Sequence, residues 1–170
     1  MKKIHFLFIT LIAKTATADC FDSAGKYYQI DPDYLRAIAW QESKFNPNAK
    51  NKNKDGSFDL GIMQINTKTF KSIKKEYPTL TENNLLINPC LNIHLGAMIL
   101  NRNFAAYGKH WLAIGMYNAG MRNANSTIEN RYHYAQKVYN HYKKIKSGKI
   151  KKSSVINLAD SRSNQINKDN

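Results

Sequence analysis

The chain has 170 residues, with 26 Lys and Arg against 12 Asp and Glu, for a formal charge of +14. That length supports one domain around a single core and removes the need for the metal or dense disulfide staples of a miniprotein. The charge favours a polyanionic partner, either nucleic acid or an acidic envelope polymer, and no stretch beyond the first 18 residues is apolar enough for long enough to cross a bilayer.

Residues 1–18 read as a cleavable signal peptide: Lys2 and Lys3, an apolar run from Ile4 to Ala13, then Ala16-Thr17-Ala18 before Asp19. The apolar run is too short to serve as a membrane span. The mature chain is therefore expected to start at Asp19 and to be periplasmic or exported, without stable membrane insertion. An exported chain with two cysteines, Cys20 and Cys90, is expected to form one disulfide. Export also makes a cell-wall polymer a nearer polyanion than nucleic acid.

Helical spacing dominates the rest. Phe21, Ala24 and Tyr28 suggest a short first helix. Asp31-Pro32 supplies an N-cap and a first-turn proline for a second, which carries Leu35, Ile38, Ala39 and Glu42 on one face and stops near Phe45, since Asn46 precedes Pro47. Residues 48–60 form a turn-rich loop or small hairpin. A helical pattern resumes after Asn66 and ends before Pro78; a longer one opens at Asn88-Pro89 and closes before Gly108; a short apolar helix runs from Trp111 to Tyr117. Ile128, Ala135, Val138, Tyr139, Tyr142 and Ile145 mark an amphipathic last helix, whose tyrosines read as core. The domain spans 19–147, and 148–170 read as a disordered basic tail. The fold class is all-α with one irregular loop.

Three segments carry chemistry. In "AIAWQESKFNP" Glu42 shares the inward stripe, where burial would keep its carboxyl protonated for general acid work. On spacing alone a glutamate bent to solvent or to Lys44 is the commoner outcome. "GIMQIN" sets Gln64 among apolar residues, with Gly61 where backbone can approach a ligand closely. "MYNAG" offers the Tyr117 ring and the Asn118 amide, although a helix end capped at Gly120 reads the same way.

The order of these segments carries a resemblance. ES-x-F-x-P at Glu42 to Pro47, GIMQI at Gly61 to Ile65 and YNAG at Tyr117 to Gly120 resemble the three signature motifs of the soluble lytic transglycosylase family. Tyr134, in RYHYAQKV, is similar to that family's fourth motif, a tyrosine on the last helix. The resemblance runs from about Cys20 to Lys144 and extends to small exported members that accompany secretion and conjugation systems, which share INPC-x-NI and the early cysteine. Ile62 stands where leucine is commoner and Met116 where a small residue is usual; neither removes a functional group.

The resemblance implies a single lysozyme-like domain with a glycan groove, α+β with at most a small β-hairpin. It makes Glu42 the catalytic acid and base, assigns Ser43, Gln64, Tyr117, Asn118 and Tyr134 to holding glycan or orienting the glutamate, and gives Gly61 and Met63 the groove wall. The implied substrate is peptidoglycan, cut between N-acetylmuramic acid and N-acetylglucosamine with a 1,6-anhydro product, to open the wall for a secretion or conjugation apparatus. One carboxylate suffices for that chemistry.

Asp59 opens an alternative, because "DGSFDLGIMQIN" also resembles the segment of animal lysozymes that carries their second carboxylate. At about 5 to 5.5 Å from Glu42 it would permit a retaining hydrolase, a muramidase. A turn aspartate serving its own loop is the structural alternative. A third reading is a non-enzymatic, polyanion-binding exported protein that uses the tail and ten tyrosines. His94, His110, His133 and His141 lack the spacing of a metal site, so neither metal nor cofactor is expected.

Overall fold

The computed structural model describes residues 19–152. The expected signal peptide and residues 153–170 of the expected tail lie outside the described residues. In chain order the elements are α1 (Cys20–Tyr28), α2 (Pro32–Ser43), β1 (Lys50–Lys52), β2 (Phe58–Leu60), β3 (Ile65–Asn66), α3 (Thr67–Glu76), α4 (Glu82–Ile87), α5 (Pro89–Tyr107), α6 (Trp111–Ala119) and α7 (Asn125–Lys146). The fold is mostly helical, as expected, and the irregular loop is a three-stranded antiparallel sheet in the order β1-β2-β3.

Local chemistry explains most boundaries. The Asp31 carboxylate accepts from the Asp33 N–H at 2.9 Å and Pro32 fills the first turn of α2. The helix ends at Ser43 because Lys44 and Phe45 both turn left-handed, at φ of 55° and 65°. Two such non-glycine residues in succession are costly and persist only where packing fixes them. Phe45 is so fixed, ring to ring against Phe21 and Trp40. Glu42 thereby sits in the last turn of α2. The expected pattern lacked α4, which starts at a capping box made by Thr81 and Asn84 instead of the usual Glu or Gln.

α5 runs through the core with Ile93, Ala97 and Leu100 fully buried. Cys20 of α1 is bonded to Cys90 of α5, closing a separation of 70 residues. Gly115 lets α6 and α7 cross closely: a Cβ there would stand 2.3 Å from the Arg131 carbonyl oxygen. On α7, Ala135, Val138 and Ile145 face inward as expected, while Tyr139 is 41% exposed and so corrects its place on the core stripe.

One charge network, centred on buried Arg36 and Asp33, joins the two ends of the described residues. Arg36, almost wholly buried, pairs with Asp19, Asp22 and Asp33 at 2.7, 2.8 and 3.0 Å. Asp33 also receives Lys146 and Lys152 at 2.9 and 2.8 Å. Burial opposes ionisation of Asp33, but hydrogen bonds from Lys152, Lys146 and Arg36 outweigh it and hold its carboxyl below the usual range. Ile150 is buried and its N–H donates to the Lys144 carbonyl at 3.0 Å, so packed chain continues past 147 to Lys152. Replacing Arg36 removes the cation that Asp19, Asp22 and Asp33 share, although Asp33 keeps Lys146 and Lys152; Arg36→Met is expected to lower the free energy of unfolding by about 3 kcal/mol in a urea titration near neutral pH.

Candidate active site

The last turn of α2, the sheet with the start of α3, Ile99 of α5 and the end of α6 enclose a groove of about 660 Å³ lined by Glu42, Asn53, Asp59, Gln64, Tyr117 and Asn118 among others. Glu42 is half-buried at its inner wall. The hydroxyl of Tyr134, a buried side chain of α7, donates a hydrogen bond to Glu42 Oε1. Burial pushes the Glu42 carboxyl up to about 7; the Tyr134 bond and Lys44 pull it down, and the neighbouring Asp59 charge pushes it further up. A carboxyl titrating there is available near neutral pH both to give a proton and to take one back.

The sheet holds Asp59 firmly. Its Oδ2 accepts from Asn53 Nδ2 at 3.0 Å and its Oδ1 from Asn66 Nδ2 at 2.7 Å, with Asn66 also donating to Ser57 Oγ at 3.0 Å. Asn53 and Asn66 were not anticipated as site residues; strand pairing brings them there, since Asp59 stands opposite Asn51 on β1 and Asn66 on β3.

The other expected residues divide into two groups. Tyr117 and Asn118 line the groove, and the Tyr117 hydroxyl donates to the Met63 carbonyl at 3.0 Å. Gln64 also lines it, at a left-handed φ of 49°, but its amide is engaged by its own chain: Nε2 donates to the carbonyls of Gly61 and Ala49, and Oε1 accepts from Asn51. Ser43 Oγ donates to the carbonyls of Ile62 at 2.7 Å and Ala39 at 3.2 Å, which ties the end of α2 to the β2–β3 turn. Gly61 and Met63 sit behind the groove lining. Met63 is fully buried, and a Cβ on Gly96 of α5 would meet its side chain at 2.8 Å.

Asn92 of α5 holds this turn from below, and the sequence reading missed it. It is fully buried, accepts from the Met63 N–H at 2.8 Å and donates to the carbonyls of Leu60 and Leu85 at 2.9 and 3.0 Å. An asparagine on the inner side of a mostly apolar helix is the signal that could have found it. Among the described residues no group of three or more His, Cys, Asp or Glu is placed to hold a metal ion.

Comparison with known proteins bears on the family and the fold. The family model described as Transglycosylase SLT domain matches residues 19–140. "Invasion protein IagB" of Salmonella typhimurium is 42% identical over 147 residues, covering 84% of this chain and 89% of that protein. "X polypeptide" of Escherichia coli K12 is 40% identical over 88% of this chain and 86% of its own length, and "Protein IpgF" of Shigella flexneri 39% over 85% and 93%. The X-ray structure of an inactive mutant of lytic transglycosylase Slt from Pseudomonas aeruginosa superposes with a TM-score of 0.57 at 24% identity, across 78% of this chain but only 24% of that larger one, and so matches in fold.

Two outcomes follow from the site. Because the folded carboxyl titrates near 7 and the unfolded one near 4.5, the Glu42 contribution to stability is intact below about 4.5 and lost as pH rises through about 7. Glu42→Gln is therefore expected to raise the thermal midpoint above pH ~8 and to leave it unchanged below pH ~4. Gly61→Ala forces a side chain onto a φ of 75° and against Asn92 and Leu85, at 2.3 and 2.5 Å. It is expected to cost about 1–3 kcal/mol in denaturant unfolding and to lower activity with it.

Proposed function

The chain belongs to the Transglycosylase SLT domain family and is a peptidoglycan lytic transglycosylase; from that premise we propose that it cuts the β-1,4 bond between N-acetylmuramic acid and N-acetylglucosamine and leaves a 1,6-anhydro end. The observation that carries this reading is Glu42, a carboxyl raised to about 7 with its Oε1 fixed by Tyr134. The Tyr134 donor occupies Oε1, so Oε2 carries the transferable proton. That proton passes to the glycosidic oxygen as the C1–O bond breaks, and the muramic acetamido group shelters the charge left at C1. The Glu42 carboxylate then takes the proton of the same sugar's 6-hydroxyl as O6 bonds to C1. No water is consumed, and Glu42 ends protonated.

Asp59 supplies the second reading, a retaining hydrolase. Two amides already occupy its oxygens, which favours holding the loop and raising the Glu42 pKa over attack at C1. We further propose that the enzyme acts outside the cytoplasm, where it opens murein for an apparatus that crosses the wall and whose subunits are candidate partners. The likeness to an invasion protein supports that placement. Among the described residues no helix is long and apolar enough to cross a membrane.

Mass analysis of digested murein is expected to give muropeptides lighter by one water than hydrolysed ones; reducing muramic ends alone would establish the hydrolase. Glu42→Gln is expected to lower the rate by roughly 10²–10⁴-fold. The kcat/KM of the wild type is expected to fall as pH rises through about 7, when the acid loses its proton. Asp59→Asn is expected to keep the anhydro product and to shift that falling limb to lower pH, because one of the charges raising Glu42 is gone.

A further inference from the structure

α7 has a second working side. Tyr134 points toward Glu42, whereas Tyr132, Gln136 and Tyr139, spaced i, i+4 and i+7, share a different face of the helix. With His133, Ala135 and Trp111 at the start of α6 they line a pocket of about 530 Å³ that shares no residue with the catalytic groove. That size is within the range of small-ligand clefts, roughly 300–1,000 Å³.

The pocket is rigid at its base and open at its rim. Trp111 is held edge-on by Tyr139, Tyr34 and Tyr142, at ring centroid distances of 4.8, 5.2 and 5.8 Å. The Lys143 ammonium sits 4.5 Å from the Tyr139 ring centroid. Tyr132 is 62% exposed. The Tyr132 hydroxyl, the His133 imidazole and the Gln136 amide make no hydrogen bond within the chain among the described residues.

Its chemistry selects a class of ligand. No Lys, Arg, Asp or Glu is among the residues that line the pocket, and Lys143 beside it is engaged with the Tyr139 ring, so the lining itself does not select an anion. Ala135 is its one aliphatic residue, which suits an apolar protein helix poorly. Aromatic faces beside an amide and hydroxyls match a neutral pyranose, whose C–H face packs on rings and whose hydroxyl edge needs donors and acceptors.

We propose that this α6–α7 pocket is a second, non-catalytic saccharide-binding site for neutral β-1,4-linked N-acetylhexosamine chains. The choice of a sugar rests on the glycan-cleaving reading of the groove. Because both sites take parts of one polymer, occupancy of the second raises the effective concentration of glycan at the first and holds the enzyme on the wall between cuts.

The test is an NMR titration of the Glu42→Gln full-length mature chain with a β-1,4-linked N-acetylglucosamine hexamer, following the indole N–H of Trp111 and the side-chain amide of Gln136 alongside groove signals such as Asn118. Saturable shifts at both pockets are expected. Tyr132→Ala and Gln136→Ala, both at exposed positions, are expected to weaken the α6–α7 response roughly fivefold. The same two changes in the active enzyme should reduce sedimentation with intact sacculi while cleavage of short soluble strands stays unchanged. Shifts confined to the groove would overturn the second site and leave the enzymatic reading intact. Silence at both pockets would overturn the second site and count against the enzymatic reading as well. A Trp111 shift on deleting residues 153–170, without sugar, would also overturn the proposal by showing the tail to be the occupant.

Discussion

The hydrogen bond from Tyr134 to Glu42 is the interaction on which the rest depends. It joins the last turn of α2 to the middle of α7 behind the groove wall that Glu42 lines, and it works only if both helices are held in place. Holding them is the task of the Arg36–Asp33 network with Lys146 and Lys152, of the close α6–α7 crossing at Gly115, and of the left-handed Lys44 and Phe45 that end α2 at the right residue. A half-buried carboxyl placed this way has one donor fixing it and a carboxylate neighbour discouraging its charge. The fold therefore sets the protonation state of the group before any substrate arrives.

The sheet serves the site as a clamp. Gly61, Gln64, Ser43 and Asn92 spend their hydrogen bonds on the turn between β2 and β3 and fix the wall opposite Glu42. This explains how a motif with such varied side chains acts as one unit: Gln64 and Ser43 direct polar atoms into the chain, and Tyr117 closes the turn by donating to Met63. Of the motif residues, Glu42, Asn118 and Tyr134 are the ones whose functional groups the turn does not consume.

Much of this was legible from order and spacing. Asp31-Pro32 marked the start of α2, the Leu35, Ile38, Ala39 and Glu42 stripe marked its inner face, and two cysteines in a chain expected to be exported marked their pairing. What spacing could not carry was pairing across strands. Asn53 and Asn66 reach Asp59 through the register of three very short strands, and a strand of two or three residues leaves no periodic trace. α4 was hidden by an unusual capping residue. Tyr139 was misplaced because a tyrosine at the edge of an apolar stripe satisfies the helical pattern whether it faces the core or the solvent.

The central claim is that the fold keeps Glu42 protonated near neutral pH. Its most direct test is the titration of the Glu42 side-chain carboxyl carbon by NMR, assigned by its absence from Glu42→Gln. A midpoint near 7 is predicted. A midpoint near the ordinary value of 4.5 would contradict it, since the groove would then hold a carboxylate with no proton to give at neutral pH.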